Sequence, residues 1–156
     1  MSAAVYQYEW KTNPTTDFRA SIAQNAKVDF DLTLPTTLRG VNGDARGSLR
    51  SLTIASIENL AWELWIWTSA THVTLTGTVT AAGTNVLGRW SFASGDGIQD
   101  VTGDFIYYID GLDIPYVDDD KSGKLHMSLV NRSAASKSAN DAGAIQIKGR
   151  IAQPVY

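Results

Sequence analysis

Leu60-Ala61-Trp62-Glu63-Leu64-Trp65-Ile66-Trp67 is the most apolar stretch of the chain, and the architecture turns on whether it is strand or helix. In a strand, successive side chains point to opposite faces. Leu60, Trp62, Leu64 and Ile66 then make one wholly apolar face, and Ala61, Glu63, Trp65 and Trp67 make the other. A helix would gather Trp62, Trp65 and Ile66 on one side. The stretch is short and aromatic-rich, and a threonine-alternating run over residues 71–80 follows it, which favours the strand. Two roles stay open for Trp65 and Trp67: indoles buried in a two-layer core, or an exposed binding face.

The same period of two recurs on both sides of this stretch. Residues 5–10 set Tyr6, Tyr8 and Trp10 on one face, and the turn-forming Asn13-Pro14 ends them. Phe18, Ala20 and Ile22 alternate with Arg19 and Ser21. Over residues 27–32, Val28, Phe30 and Leu32 face inward while Lys27, Asp29 and Asp31 meet water, as in an antiparallel sheet with one wet face. Further strands are expected over residues 49–57, 72–80, 86–92, 105–109, 124–130 and 145–151. Residues 113–117 carry Pro115 and belong at an edge. Residues 133–143 are small and polar and read as an exposed loop.

No window shows an apolar stripe at helical spacing, and Gly, Asn and Asp turns separate the strands. The expectation is therefore all-β: one antiparallel β-sandwich domain over residues 1–156, jelly-roll-like, with about nine or ten strands. Repeats of fixed period are not visible, which disfavours a propeller or solenoid.

Composition narrows the function classes. At 156 residues the chain suits one core. It has no cysteine, which removes disulfides, thiolate nucleophiles and thiolate zinc sites. Met1-Ser2-Ala3-Ala4-Val5-Tyr6 lacks a basic region followed by an apolar run, so neither a secretion signal nor a membrane contact is expected. The net charge of −3 argues against a nucleic-acid binder. Its distribution is uneven: Asp96, Asp100, Asp104, Asp110, Asp113, Asp118, Asp119 and Asp120 have no Lys or Arg among them, whereas Lys121, Lys124, Arg132, Lys137, Lys148 and Arg150 face Asp141 alone. Such a split is either two solvated surfaces or a pair of complementary fields for protein contact.

Three groupings have the makings of a site. Arg39, Arg46 and Arg50 flank a glycine-rich loop and would together hold a phosphate or a partner's carboxylate; the plain alternative is a solvated loop. No Gly-Lys-Ser/Thr follows, so this is not a phosphate-binding loop of the nucleotide-hydrolase kind. Asp118, Asp120, Ser122 and Gly123 match the first half of a calcium loop, but its twelfth position is Leu129 instead of Glu, leaving only a weak metal candidate beside the plain reading as an acidic turn. His72 and His126 fall on faces expected to be wet. Ser128 shares a strand face with His126, yet no nucleophile-elbow motif occurs anywhere. Neither an enzyme activity nor a cofactor is expected.

The segments Gly88-Arg89-Trp90-Ser91-Phe92-Ala93-Ser94-Gly95-Asp96-Gly97, Ile109-Asp110-Gly111-Leu112-Asp113-Ile114-Pro115-Tyr116 and Leu125-His126-Met127-Ser128-Leu129-Val130-Asn131-Arg132-Ser133 resemble structural proteins of tailed-phage virions. The resemblance covers the C-terminal half. It implies a capsid-decoration or head-attachment component, made in the bacterial host cytoplasm and located in the virion. Its partner would be the major capsid or another virion protein, and it would assemble with itself, as a trimer in the first instance. Tyr6, Tyr8, Trp10, Trp65, Trp67, Arg39, Arg46 and Arg50 are the side chains expected at the contacts. The alternative is a carbohydrate-binding or lectin-like domain using exposed Trp and Tyr.

Overall fold

The computed structural model describes residues 5–12, 18–33, 46–68, 86–117 and 124–154. The described residues form ten strands and a single 3₁₀ turn at Asn140–Gly143. The strands are β1 (Val5–Lys11), β2 (Lys27–Thr33), β3 (Arg46–Ser56), β4 (Trp62–Trp67), β5 (Val86–Phe92), β6 (Ile98–Gln99), β7 (Phe105–Ile109), β8 (Ile114–Val117), β9 (Lys124–Asn131) and β10 (Ile145–Pro154). One sheet runs β1-β10-β3-β7-β6 with β8 also paired to β3, and the other runs β2-β9-β4-β5. All pairings are antiparallel.

The pairing is nested. β1 joins β10, β2 joins β9, β3 joins β7 and β8, and β4 joins β5, with successive pairs alternating between the two sheets. A chain that doubles back on itself as one long hairpin and then rolls up yields this order, which is the jelly roll. The expected sandwich is therefore present, and in its expected form.

A bulge explains how β3 serves two partners on one side. Its register against β10 slips between Ser51↔Arg150 and Leu49↔Ile151, leaving Arg50 as the extra residue. The freed Arg50 carbonyl accepts the Leu112 N–H at 3.1 Å, where β7 has ended and β8 has yet to begin. Pro115 stands opposite Ser48 in β8, whose only sheet partner among the described residues is β3, in keeping with the edge position expected of it.

Between the sheets lies one core. Leu52, Ile54, Ile147, Ile151 and Tyr107 come from the first sheet and Trp62, Leu64, Ile66, Met127 and Leu129 from the second, all fully buried. The Tyr107 hydroxyl donates to the Leu60 carbonyl at 2.9 Å, tying the two layers at the entry to β4.

Two glycines make room for indoles. Trp10 pairs with Gly149 across β1 and β10, and a Cβ at Gly149 would fall inside the Trp10 ring. Gly88 does the same for Trp90, two residues along its own strand. In both places the absent side chain lets a large ring lie flat on the sheet.

Three local expectations change. Residues 18–22 form no strand: Phe18 adopts a left-handed backbone (φ 59°), and only Ile22 bridges, to Lys137. Phe18 and Ile22 still reach the core, Phe18 packing edge-on against Phe30 with ring centroids 4.9 Å apart. Residues 133–143 are not a plain exposed loop. Lys137 is fully buried, its ammonium donating to the carbonyls of Ala20 (3.0 Å) and Ser138 (2.6 Å), and Glu58 accepts from the Ser138 amide and hydroxyl. Asn131 completes this seam, donating to the Ile22 and Ala135 carbonyls at 2.8 Å each. Finally, β9 is covered on both faces, so His126 is buried instead of wet. The run at 71–80, with His72, lies outside the described residues.

Replacing Gly149 with Ala should cost about 1–3 kcal/mol, because the indole has to leave its seat. In a double-mutant cycle with Trp10→Phe the two losses should fall short of adding, by at least about 0.5 kcal/mol, since both act on one contact. Urea denaturation of the four proteins measures this.

Candidate functional site

The outward side chains of the β2-β9-β4-β5 sheet fall into three transverse rows set by the register. They are Lys27, Val130, Glu63, Ser91; then Asp29, Ser128, Trp65, Arg89; then Asp31, His126, Trp67, Val86. A sheet face of this kind usually meets water. Here its middle is closed off, with Glu63, Trp65, Trp67, His126, Ser128 and Val130 all buried.

Glu63 is the centre of this array, 2% exposed. Burial alone would raise its pKa. Three donors override that: Arg132 at 2.8 Å, Arg89 at 2.6 Å and the Trp65 indole N–H at 2.6 Å together hold the carboxyl at about 2, against an ordinary 4.5. Trp65 stacks on Trp67 with ring centroids 5.9 Å apart and planes 10° from parallel. The Arg89 guanidinium, half in water, sits 5.2 Å from the Trp65 ring centroid and so serves both the carboxylate and the π-face.

Toward β2 the array continues as carboxylate pairs. The Ser128 hydroxyl donates to Asp29, which also takes the Lys27 ammonium at 2.9 Å. His126 Nδ1 lies 2.7 Å from Asp31, and Lys124 approaches the same carboxylate at 3.5 Å. Ser128 and His126 thus share a face, as their spacing implies, but each is engaged by its own aspartate. The serine's proton is directed at Asp29.

The expected contact residues divide accordingly. Trp10, Trp65 and Trp67 are buried to within 3% exposure, Trp10 lying on Gly149 and Trp65 stacked on Trp67. Arg50 is exposed and pairs with Asp113 at 3.2 Å across the β3 bulge. Arg46 opens β3 opposite Val117, and Tyr6 and Tyr8 lie in β1 opposite Gln153 and Ile151. Arg39 and the acidic turn with Asp118, Asp120 and Ser122 lie outside the described residues. Among the described residues no group of three or more acids and histidines is placed to hold a metal.

Exposed large apolar side chains occur elsewhere, at Ile57, Ile98, Val101 and Tyr108. Ile98 and Val101 belong to the β6–β7 hairpin, whose turn is tightly fastened. Asp100 Oδ1 accepts from the Thr102 amide (2.8 Å), the Thr102 hydroxyl (2.6 Å) and the Asp104 amide (3.0 Å), and these bonds, Thr102's foremost, lower its pKa. Gly103 closes the turn at φ +98°, a left-handed backbone that suits glycine. The readable signal was Asp100-Val101-Thr102-Gly103, a turn sequence with an apolar residue at its tip.

Removing the Glu63 charge should be felt in stability. Glu63→Gln strands two guanidiniums that keep part of their surface in water, so the cost should be about 2–3 kcal/mol, below that of a fully buried pair. Because the folded pKa lies below the unfolded one, the carboxylate's contribution is complete above pH 4.5 and is lost as pH falls through about 2. The wild-type urea midpoint should fall over that window, and the part owed to Glu63 should be missing from the variant.

No family model matches the chain, and no curated protein matches it. Among solved structures, it is similar to a chain of the empty head of turnip yellow mosaic virus, at 15% identity and a TM-score of 0.35, over 99% of this chain and 82% of that one. The fold assignment rests on the nested strand order and not on this likeness.

Proposed function

We propose that the protein is a virion structural component of the capsid-decoration or head-attachment kind, acting through protein contacts and without a reaction of its own. The observation that carries this is the β6–β7 hairpin. Val101 is fully exposed on a turn that Asp100 and Gly103 hold in one shape, and Ile98, 67% exposed, lies in β6, the strand that leads into it. A preorganised apolar tip loses little entropy on docking into a neighbour's pocket. A protein partner would cover both side chains.

Three further features support the reading. The jelly-roll order is one that capsid subunits commonly use, although lectins and cupins share it, so the fold alone does not fix the role. The segments at 88–97, 109–116 and 125–133 resemble tailed-phage virion proteins. The hairpin also sits in the stretch where eight aspartates occur without a cation, so its partner surface should be basic around an apolar socket. Assembly with itself, as a trimer, and attachment to the major capsid protein follow from this reading, since many weak contacts on a lattice bind by avidity.

Sedimentation velocity of the purified chain should show a trimer or larger form. Val101→Asp combined with Ile98→Asp should shift it to monomer while leaving the melting temperature within about 2 °C, as expected for surface positions. A wild-type chain that stays monomeric at every concentration, or an assembly indifferent to both substitutions, overturns the reading.

A further inference from the structure

The outer face of the six-stranded sheet carries a trough that the hairpin does not use. Its floor is β3, whose outward residues Ser51, Thr53 and Ala55 are all short. Its walls are taller. On one side β10 raises Lys148 beside Thr53 and Arg150 beside Ser51, and on the other β7 raises Tyr108 beside Thr53. Neighbouring strands lie about 4.8 Å apart, so the walls stand about 10 Å from each other at the backbone. The groove encloses about 330 Å³, the lower end of the range for small-molecule sites.

Its chemistry is mixed in a particular way. Tyr108 is 57% exposed and lines the trough with its flat ring. Opposite it, Arg150 Nε and Glu9 Oε2 are 3.5 Å apart, a loose pair with both partners largely in water, so either is free to turn toward a ligand at little cost. Lys148 and Asp110 complete the lining, with the Ser51 and Thr53 hydroxyls below. Two cations thus stand against two carboxylates. A phosphate or polyanion would call for a surplus of cations, and an apolar segment would call for an apolar floor. A ligand that presents a C–H face to an aromatic ring and alternating donors and acceptors along its edge satisfies every wall.

We propose that this trough binds a short neutral saccharide, with Tyr108 stacking on the pyranose C–H face. Glu9 and Asp110 accept from its hydroxyls, and Arg150 and Lys148 donate to them. Strands β1, β3, β7 and β10 already fix the spacing, so no rearrangement of the sheet is required. The site lies away from the hairpin tip residues, and a virion component carrying it would display a glycan-recognising face as well as a docking tip.

The test is an oligosaccharide array holding neutral, sialylated and sulfated glycans, followed by calorimetric titration of the best neutral hit, with inorganic phosphate and heparin as anionic probes. A neutral glycan should bind. Tyr108→Ala should weaken it at least about tenfold, Tyr108→Phe should keep most of the affinity, and Thr53→Gln should block it by filling the floor. Melting curves should show all three variants folded, since Tyr108 and Thr53 lie on the outer face, and sedimentation should be unchanged, which separates this site from the hairpin contact. Absence of any neutral glycan hit, binding confined to anionic glycans or heparin, or binding untouched by Tyr108→Ala overturns the proposal.

Discussion

A carboxylate buried in the middle of a sheet dictates much of this molecule. Glu63 lies in β4, where both faces are closed to solvent, and an ionised group in that position is tolerable only with its lone pairs filled. Arg132 arrives from the end of β9, Arg89 from β5 and the Trp65 indole from the same strand, so three partners from three sequence positions converge on one side chain. This requirement fixes the register of β5 and β9 against β4 more tightly than apolar packing alone, since a one-residue slip would turn the arginines and Glu63 to opposite faces. It also places Trp65, with Trp67 stacked on it, beneath a guanidinium and not at a free surface.

With that sheet committed to its own polar array, the two surfaces proposed for recognition belong to the other layer. The β6–β7 hairpin projects apolar side chains on a turn fastened by Asp100, and the β3 trough sets a tyrosine against balanced charges. Both owe their form to the same strand. The long β3 takes β7 along one half and β8 along the other, with the Arg50 bulge between them, so β7 stands alongside the short residues Thr53 and Ala55 and leads back to the hairpin. A small region of the fold therefore sets up two chemically distinct surfaces.

The layered antiparallel sheets were readable from alternation, because a period of two survives wherever one face is wet: Lys27-Val28-Asp29-Phe30 and Ile145-Gln146-Ile147-Lys148 display it openly. Alternation fails as a guide where both faces are covered. In β9, His126 and Ser128 look like wet-face residues, yet their aspartate partners in β2 allow them to be buried. It fails again at residues 133–143, where a small, polar composition conceals the buried Lys137 and the Glu58–Ser138 bonds.

From residue order alone came the all-β class, most strand positions, the edge placement of Pro115 and the core face of β4, because each depends on local periodicity or backbone chemistry that a few neighbouring residues specify. Which indoles are hidden, which aspartate meets which cation, and where an exposed tyrosine finds hydroxyls and charges around it were settled by the folded arrangement. Those facts join residues that are tens of positions apart, such as Glu63 with Arg132 or Glu9 with Arg150, and only the nested pairing of strands brings them within hydrogen-bond reach.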